Sequence, residues 1–384
     1  MTDKKVSLAL LTFGAATNAF VYAIIVFIIG VSLPTLAEKF DLSDSQKGLL
    51  FSVQNLAILL TILIIGPVLD RIGRKPILIL GTLLIAISVF GIGIAPTYAI
   101  LLVVIFVLGL GAGCNNIGGS TLITDLYPDN PSRAMNLITS TFGAGAIAIP
   151  LLGSLLIGSF GFLGYLSILT AIAIIPFFVF IVSVFPQTKQ TDQFVISDIL
   201  KVIVNPLVLF IGVVLFFYVA LEISTAGWLK DYFIDKFQMT DRTSGFVLTG
   251  FSVMLMLGRI IAGFILEKMK GMYLIVWCSI TAVTGLVLMI LSNDLVIAII
   301  GVMITGIAYA PIFPTSLGTV GDNFKSYIAT IMGTVTTLGF LGAILLPFII
   351  GLLGGNLNVM IAAALLMLIA QLLIVATVRK QKNH

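Results

Sequence analysis

Twelve apolar runs follow one another along this chain, separated by short polar turns and one longer central loop, and that pattern leaves few folds open. They cover approximately residues 7 to 37, 46 to 69, 76 to 95, 98 to 124, 132 to 158, 162 to 185, 203 to 235, 243 to 266, 272 to 291, 294 to 321, 326 to 353 and 357 to 378. An α-helix crosses a hydrocarbon core of roughly 30 Å with about 20 residues, whereas a barrel strand needs only about 10 residues of alternating polarity. The runs have the first length and lack the alternation, so the chain reads as an all-α membrane protein of twelve transmembrane helices. Its composition agrees, with only 9% charged residues against about 25% in soluble domains. The first run is too long for a cleavable signal peptide and is expected to remain as a helix. Ser43 to Gln46 has the pattern of a capping box opening the second helix, and Thr240 to Thr243 occupies the same place in the second half.

That last correspondence is one of many. A shift of 197 positions carries Asp70 and Arg71 onto Glu267 and Lys268, Gly66 onto Gly263, Gly48 onto Gly245, Gly109 onto Gly306, Asp125 onto Asp322, Gly145 onto Gly342 and Pro150 onto Pro347. One ungapped shift that matches charges, glycines and prolines across four apolar runs implies a duplicated unit. Each copy contains six runs, so both enter the membrane in the same sense and form a parallel repeat. The expected organisation is a six-helix bundle over 1–185, a cytoplasmic linker over 186–201 and a second six-helix bundle over 202–384.

Most of the 20 Lys and Arg residues fall on one side if the N-terminus is inside, among them Lys4, Lys5, Arg71, Arg74, Lys75, Arg133, Lys268, Lys270 and Arg379. Lys39, Lys47, Lys230, Lys236 and Arg242 fall on the other. By the positive-inside rule both termini are cytoplasmic, in a multi-pass protein of the plasma membrane. No basic cluster with interleaved aromatics points to nucleic acid. Cys114 and Cys278 lie in apolar runs without a second cysteine or histidine nearby, and the single histidine is His384, so neither a metal nor another cofactor is expected. No convergent set of His, Cys and carboxylate suggests an enzyme.

The densest charge in the chain is the turn Gly66-Pro-Val-Leu-Asp-Arg-Ile-Gly-Arg-Lys75. It resembles the signature between the second and third helices of the major facilitator superfamily, Gly-x-x-x-Asp-Arg-x-Gly-Arg-Lys. Together with twelve spans, the half-chain repeat and the polar central loop, the resemblance covers the whole chain and implies a secondary transporter. Asp70 can meet the positive N-terminal end of another helix, and Arg71, Arg74 or Arg133 can pair with Asp125. The resemblance implies that such contacts, with Lys75 beside them, hold the state closed to the cytoplasm, while the depth of Arg259 in the eighth run gives it an expected gating or structural role near the cytoplasmic end. A weaker resemblance, to the fucose and hexose permease branch, rests on Phe217 to Glu222, Trp228, Tyr232, Gly258-Arg259 and Ala310-Pro-Ile-Phe-Pro-Thr315. It implies sugar carried with protons, although the first helix here has Asn18 and Tyr22 and no carboxylate.

Glu222 is the most informative single residue. It lies near the middle of the seventh run, where a carboxylate costs about 2.5 to 3.5 kcal/mol even on a lenient insertion scale, so it is expected to serve proton coupling or substrate binding. Arg259 lies roughly 12 Å inward from its loop, within reach of snorkelling. The neutral polar residues Asn18, Tyr22, Gln54, Asn55, Asn115, Asn116 and Tyr309 suit a polyhydroxylated solute, and Phe142 or Trp228 can stack on a sugar's apolar face. Each of these is individually more often helix-to-helix glue than ligand contact. The expected function is proton-coupled symport of a small polar solute such as a monosaccharide, by a monomer whose partners are solute, protons and bilayer. A proton-driven exporter of amphipathic compounds, with an adaptable wall drawn from 27 phenylalanines and 12 methionines, is the alternative. A membrane sensor that transports nothing is a third reading.

Overall fold

A computed structural model describes residues 6–186, 204–353 and 356–382. Thirteen helical elements are found among them: α1 (Leu8–Phe40), α2 (Asp44–Ile72), α3 (Arg74–Ile94), α4 (Tyr98–Leu126), α5 (Pro131–Ala173, two helices joined across a kink at Gly161, φ 71°), α6 (Ile175–Val182), α7 (Pro206–Phe237), α8 (Asp241–Ile265), α9 (Gly271–Leu291), α10 (Leu295–Tyr309), α11 (Ile312–Asn323), α12 (Ile328–Leu352) and α13 (Asn358–Lys382). Eleven stretches are long and apolar enough to cross a membrane, and α13 supplies a twelfth, shorter apolar segment over Asn358–Leu372. The α5–α6 region holds two of these spans, Pro131–Gly153 and Leu155–Val182, whereas α10 and α11 together make one, Leu295–Asn323. The expected all-α, twelve-helix membrane fold is therefore what forms. The predicted linker over 186–201 lies outside the described residues except for Pro186.

Local sequence sets most of the helix ends. The Ser43 hydroxyl accepts from the Gln46 amide while the Gln46 side chain accepts from the Ser43 N–H, closing the predicted capping box. Thr240 caps α8 through the Thr243 amide. Gly73 turns the chain between α2 and α3 at φ 87°, a left-handed conformation that glycine adopts without steric cost. The duplication is visible in the backbone: α1 and α7 end in left-handed residues at Asp41 (φ 50°) and Gln238 (φ 54°), positions one repeat apart. Two residues before each, Lys39 donates to the Ala95 carbonyl at 2.9 Å and Lys236 to the Ile290 carbonyl at 2.7 Å. Both lysines thus satisfy carbonyls at a helix C-terminus, where a positive charge is favoured.

The chain divides into two compact units. Unit 1 comprises Met1–Pro128, Thr141–Phe194 and Lys325–Gly333, and unit 2 comprises Asp129–Ser140, Val195–Phe324 and Thr334–His384. In unit 1, α4 packs between α2 and α3 and also touches α1. The glycine-rich segment of α4 explains the fit: Gly109 and Gly113 sit on Ala57 and Thr61 of α2, and Gly111 sits on the Gly81 carbonyl of α3. Small residues let helix backbones approach in a medium that offers no hydrophobic drive for association. In unit 2, α10 packs on α8 and α9, and α7 packs on α8, α11 and α13. Large apolar side chains such as Ile64, Phe160, Val182 and Phe348 stay more than 60% exposed, as lipid-facing residues do.

Candidate functional site

The turn between α2 and α3 forms a buried ionic network inside unit 1. Asp70, 6% exposed, sits at the end of α2 and accepts from the Ala329 amide (3.2 Å), the Thr330 amide (2.9 Å) and the Thr330 hydroxyl (2.7 Å). The two amides belong to the first turn of α12, whose N–H groups have no partner within the helix, so the carboxylate caps that helix and meets its positive dipole end. A side chain at position 66 would run into the Ala329 carbonyl and Thr330 Cα, so Gly66 makes this approach possible. On the other side of Asp70, Arg74 lies 3.8 Å away and makes a second ion pair with Asp125 at 2.9 Å. Its Nε–H is not aimed at Asp125, which makes that contact electrostatic more than a directed hydrogen bond. Arg74 also donates to the Leu69 carbonyl at 3.2 Å. Of the three arginines expected to compete for Asp125, Arg74 is the partner the structure selects.

Arg133 is placed elsewhere. It pairs at 2.5 Å with Glu267, the repeat counterpart of Asp70, within unit 2. Both groups are more than a third exposed. The neighbouring Ser132 hydroxyl donates to Asp322 at 2.6 Å, and Asn136 donates to the Thr315 hydroxyl at 2.8 Å. Arg71 is exposed. Lys75 caps α6, donating to the Ile181 and Ser183 carbonyls at 2.9 and 2.8 Å with the Phe185 ring beside it.

Within the membrane-spanning part of unit 1, the predicted polar residues separate into two groups. Tyr22, Asn116 and Phe142 are half-buried and adjoin one another, with the Tyr22 hydroxyl beside the Asn116 amide and the Tyr22 and Phe142 ring centroids 6.1 Å apart. Asn18, Gln54 and Asn115 are buried between helices. Asn18 donates to the Asn115 carbonyl, Gln54 donates to the Ile25 carbonyl, and the Asn115 amide faces Gly81 of α3. Asn55 is exposed and bonds back to its own helix at Phe51.

Unit 2 carries the charged set. Glu222 is half-buried on α7, one turn beyond Tyr218. Arg259 of α8 lies within electrostatic reach, and the Tyr218 hydroxyl faces the carboxylate without a closed hydrogen bond in this conformation. Tyr309 stacks edge-on against Tyr218 with centroids 5.9 Å apart, and Phe251 and Phe313 extend the aromatic surface. Arg259 itself is 8% exposed and donates to the Ala310 carbonyl at 3.3 Å and the Thr139 carbonyl at 3.1 Å. The guanidinium therefore turns inward to protein acceptors and does not snorkel to the membrane surface. Trp228 is half-buried two turns beyond Glu222 on α7. No group of three or more metal-ligating side chains occurs among the described residues.

Sequence reasoning did not single out Tyr218, Thr330 or Glu267 for these sites. Tyr218 was findable from its four-residue spacing to Glu222 on one helix face. Glu267 and Thr330 were findable from the repeat, as the counterparts of Asp70 and Arg133.

Over 131 residues the chain is 29% identical to the multidrug resistance protein MdtL of Shewanella oneidensis and 31% identical to MdtL of Escherichia coli O81. The matched segment is about a third of this chain and about a third of each relative's length. Among solved structures, the E. coli fucose:proton symporter FucP gives a TM-score of 0.80 at 17% identity, with 96% of each chain covered. The proton:xylose symporter XylE gives 0.78 at 11% identity, over 97% of this chain and 95% of that one. The human organic anion transporter MFSD10 gives 0.75 at 17% identity, over 96% and 98%. At these identities the structural likeness establishes the fold alone. The family model for the Major Facilitator Superfamily matches residues 15–347, and again 213–383. Carrying that match and the charged turn after its second helix, the chain belongs to the Major Facilitator Superfamily of membrane transporters.

Proposed function

We propose that this transporter couples the movement of a small polar solute, such as a monosaccharide, to protons by alternating access, with both termini in the cytoplasm. The observation that carries the reading is Glu222, an intramembrane carboxylate flanked by Arg259 and Tyr218. A carboxylate at that depth is expensive and is retained where it has a partner or a task. In this reading Glu222 is the proton site. Tyr22, Asn116 and Phe142 bind solute, the amide and hydroxyl through a sugar's hydroxyls and the ring against its apolar face. The six-helix bundles over 1–185 and 202–384 are the bodies that rock, and the Asp70, Arg74 and Asp125 network latches the state closed to the cytoplasm. The folds of two proton-coupled sugar symporters support the reading.

A second reading is favoured by the curated relatives, which are multidrug resistance proteins. There the same carboxylate, beside Tyr218, Tyr309, Phe251 and Phe313, drives export of amphipathic compounds. Uptake of labelled hexoses, pentoses and deoxyhexoses into proteoliposomes, with and without an inward proton gradient, separates the two. Wild type is expected to accumulate one of these sugars when the gradient is imposed. Glu222→Gln is expected to lose that response while retaining counterflow exchange. Absence of sugar flux, with gradient-driven movement of lipophilic cations, establishes the exporter reading instead.

A further inference from the structure

The segment Ala310-Pro-Ile-Phe-Pro-Thr315 interrupts the tenth span between α10 and α11, yet its backbone stays nearly helical, with Ala310 at φ −46°, ψ −50° and Pro311 at φ −86°, ψ −11°. In a continuous helix the carbonyl of residue i accepts the N–H of residue i+4. Pro314 has no N–H, so the Ala310 carbonyl loses its helical donor, and Pro311 does the same to the Ile307 carbonyl. A buried carbonyl without a donor is costly, and the Ala310 carbonyl has one from another helix: Arg259 Nε, at 3.3 Å. Gly258 makes that reach possible, because a side chain there would strike Ala310 Cβ and the Ile307 carbonyl. Close approach of α8 to α10 and a vacancy in the helix ladder thus coincide at one point.

We propose that Pro314 holds the Ala310 carbonyl open for Arg259, making Arg259 and Pro314 positioning residues for Glu222. The guanidinium is tied by Nε to Ala310 and by Nη1 to Thr139, and the charge of Glu222 acts on a group already fixed by backbone acceptors. The same segment sets Phe313 against Tyr218, the hydroxyl that faces Glu222. The ionisable groups around Glu222 are Tyr218 on its own helix, Arg259 on α8 and Tyr309 on α10. From α11 the only ionisable group is Asp322, ten residues beyond the helix start and engaged with Ser132. The described side chains of α13, residues 358–372, include none. The inference rests on the reading of Glu222 as a proton site.

The test is infrared titration of the full-length protein in lipid, following the carboxyl C=O band of protonated Glu222, identified by its loss in Glu222→Gln. Arg259→Gln is expected to displace the pH midpoint of this band. Pro314→Ala restores the N–H that competes for the Ala310 carbonyl, and it is expected to displace the midpoint in the same direction and at least half as far. Pro311→Ala restores a donor only to the Ile307 carbonyl and is expected to leave the midpoint where it is in wild type. A midpoint unmoved in Pro314→Ala but displaced in Arg259→Gln overturns the role of Pro314 and leaves the proton site standing. Equal displacement by both proline variants makes the effect one of helix straightening and also overturns it. Absence of a titrating Glu222 band in wild type removes the proton-site reading, and the positioning role with it.

Discussion

The turns after α2 and after α8 stand at positions matched by the 197-residue shift, and they differ in how far their charges are exposed. The first buries Asp70 and Arg74 and sets them against the half-buried Asp125, with the carboxylate of Asp70 accepting three hydrogen bonds from the start of α12. The second retains a single exposed pair, Glu267 with Arg133, at the start of α5. The reason is visible in the repeat register. Position 74 corresponds to Gly271, so the second copy has no arginine at that place, and the Ser132 hydroxyl donates to Asp322. Position 133 corresponds to Thr330, so the second carboxylate meets a cation where the first meets a hydroxyl and two amides. A helix start can be held by a buried network or by a surface ion pair. Only the former is expensive to disturb, because removing one member strands the charge of another in a low-dielectric interior.

The difference can be broken from its costly end first. Arg74→Met leaves the buried Asp70 and the half-buried Asp125 without their shared cation, and a loss of about 3–5 kcal/mol is expected, read as a large fall in thermal midpoint in detergent. Gly66→Ala drives a methyl into the Ala329 carbonyl and Thr330 backbone, and should cost about 1–3 kcal/mol as an overpacked contact. At its counterpart Gly263→Ala the nearest atoms are side-chain atoms of Leu137, Cγ among them, and no backbone atom, so the smaller loss belongs there because a side chain can shift where backbone cannot. Asp70→Asn keeps the shape but removes the charge and part of the accepting capacity for the α12 amides. About 1–3 kcal/mol is expected, with faster amide exchange at Ala329 and Thr330. Glu267→Gln should cost no more than about 1 kcal/mol, and moderate salt should erase even that, because the pair is solvent-exposed. Equal losses for Asp70→Asn and Glu267→Gln would show that burial is not what separates the two turns.

Much of this architecture is legible in the sequence alone. The expected second span, 46 to 69, lies inside α2, and the expected seventh, 203 to 235, ends two residues short of α7, because apolar length and capping residues are local properties. The tenth span was legible as one crossing, but its division into α10 and α11 was not drawn from Pro311 and Pro314, since prolines in membrane helices are compatible with either a bend or a break. The site residues were legible as types and less so as neighbours. Polarity alone put Asn115 and Asn116 in one class, yet adjacent helical residues point about 100° apart. Only Asn116 reaches Tyr22, while Asn115 faces Gly81.

The sequence by itself determined that this chain crosses a membrane about twelve times, that charges, glycines and prolines of its halves match under one shift, and that charge recurs at two matched turns. Those properties follow from run length, spacing and repeat register, which a linear chain displays in full. The tertiary structure alone decided which arginine Asp125 takes, which helix Asp70 caps, and that Arg259 turns to a proline-freed carbonyl. Each of those partners lies 50 or more residues away, and choosing among them depends on how closely two helices approach, which is set by packing around the glycines and not by the composition of either partner.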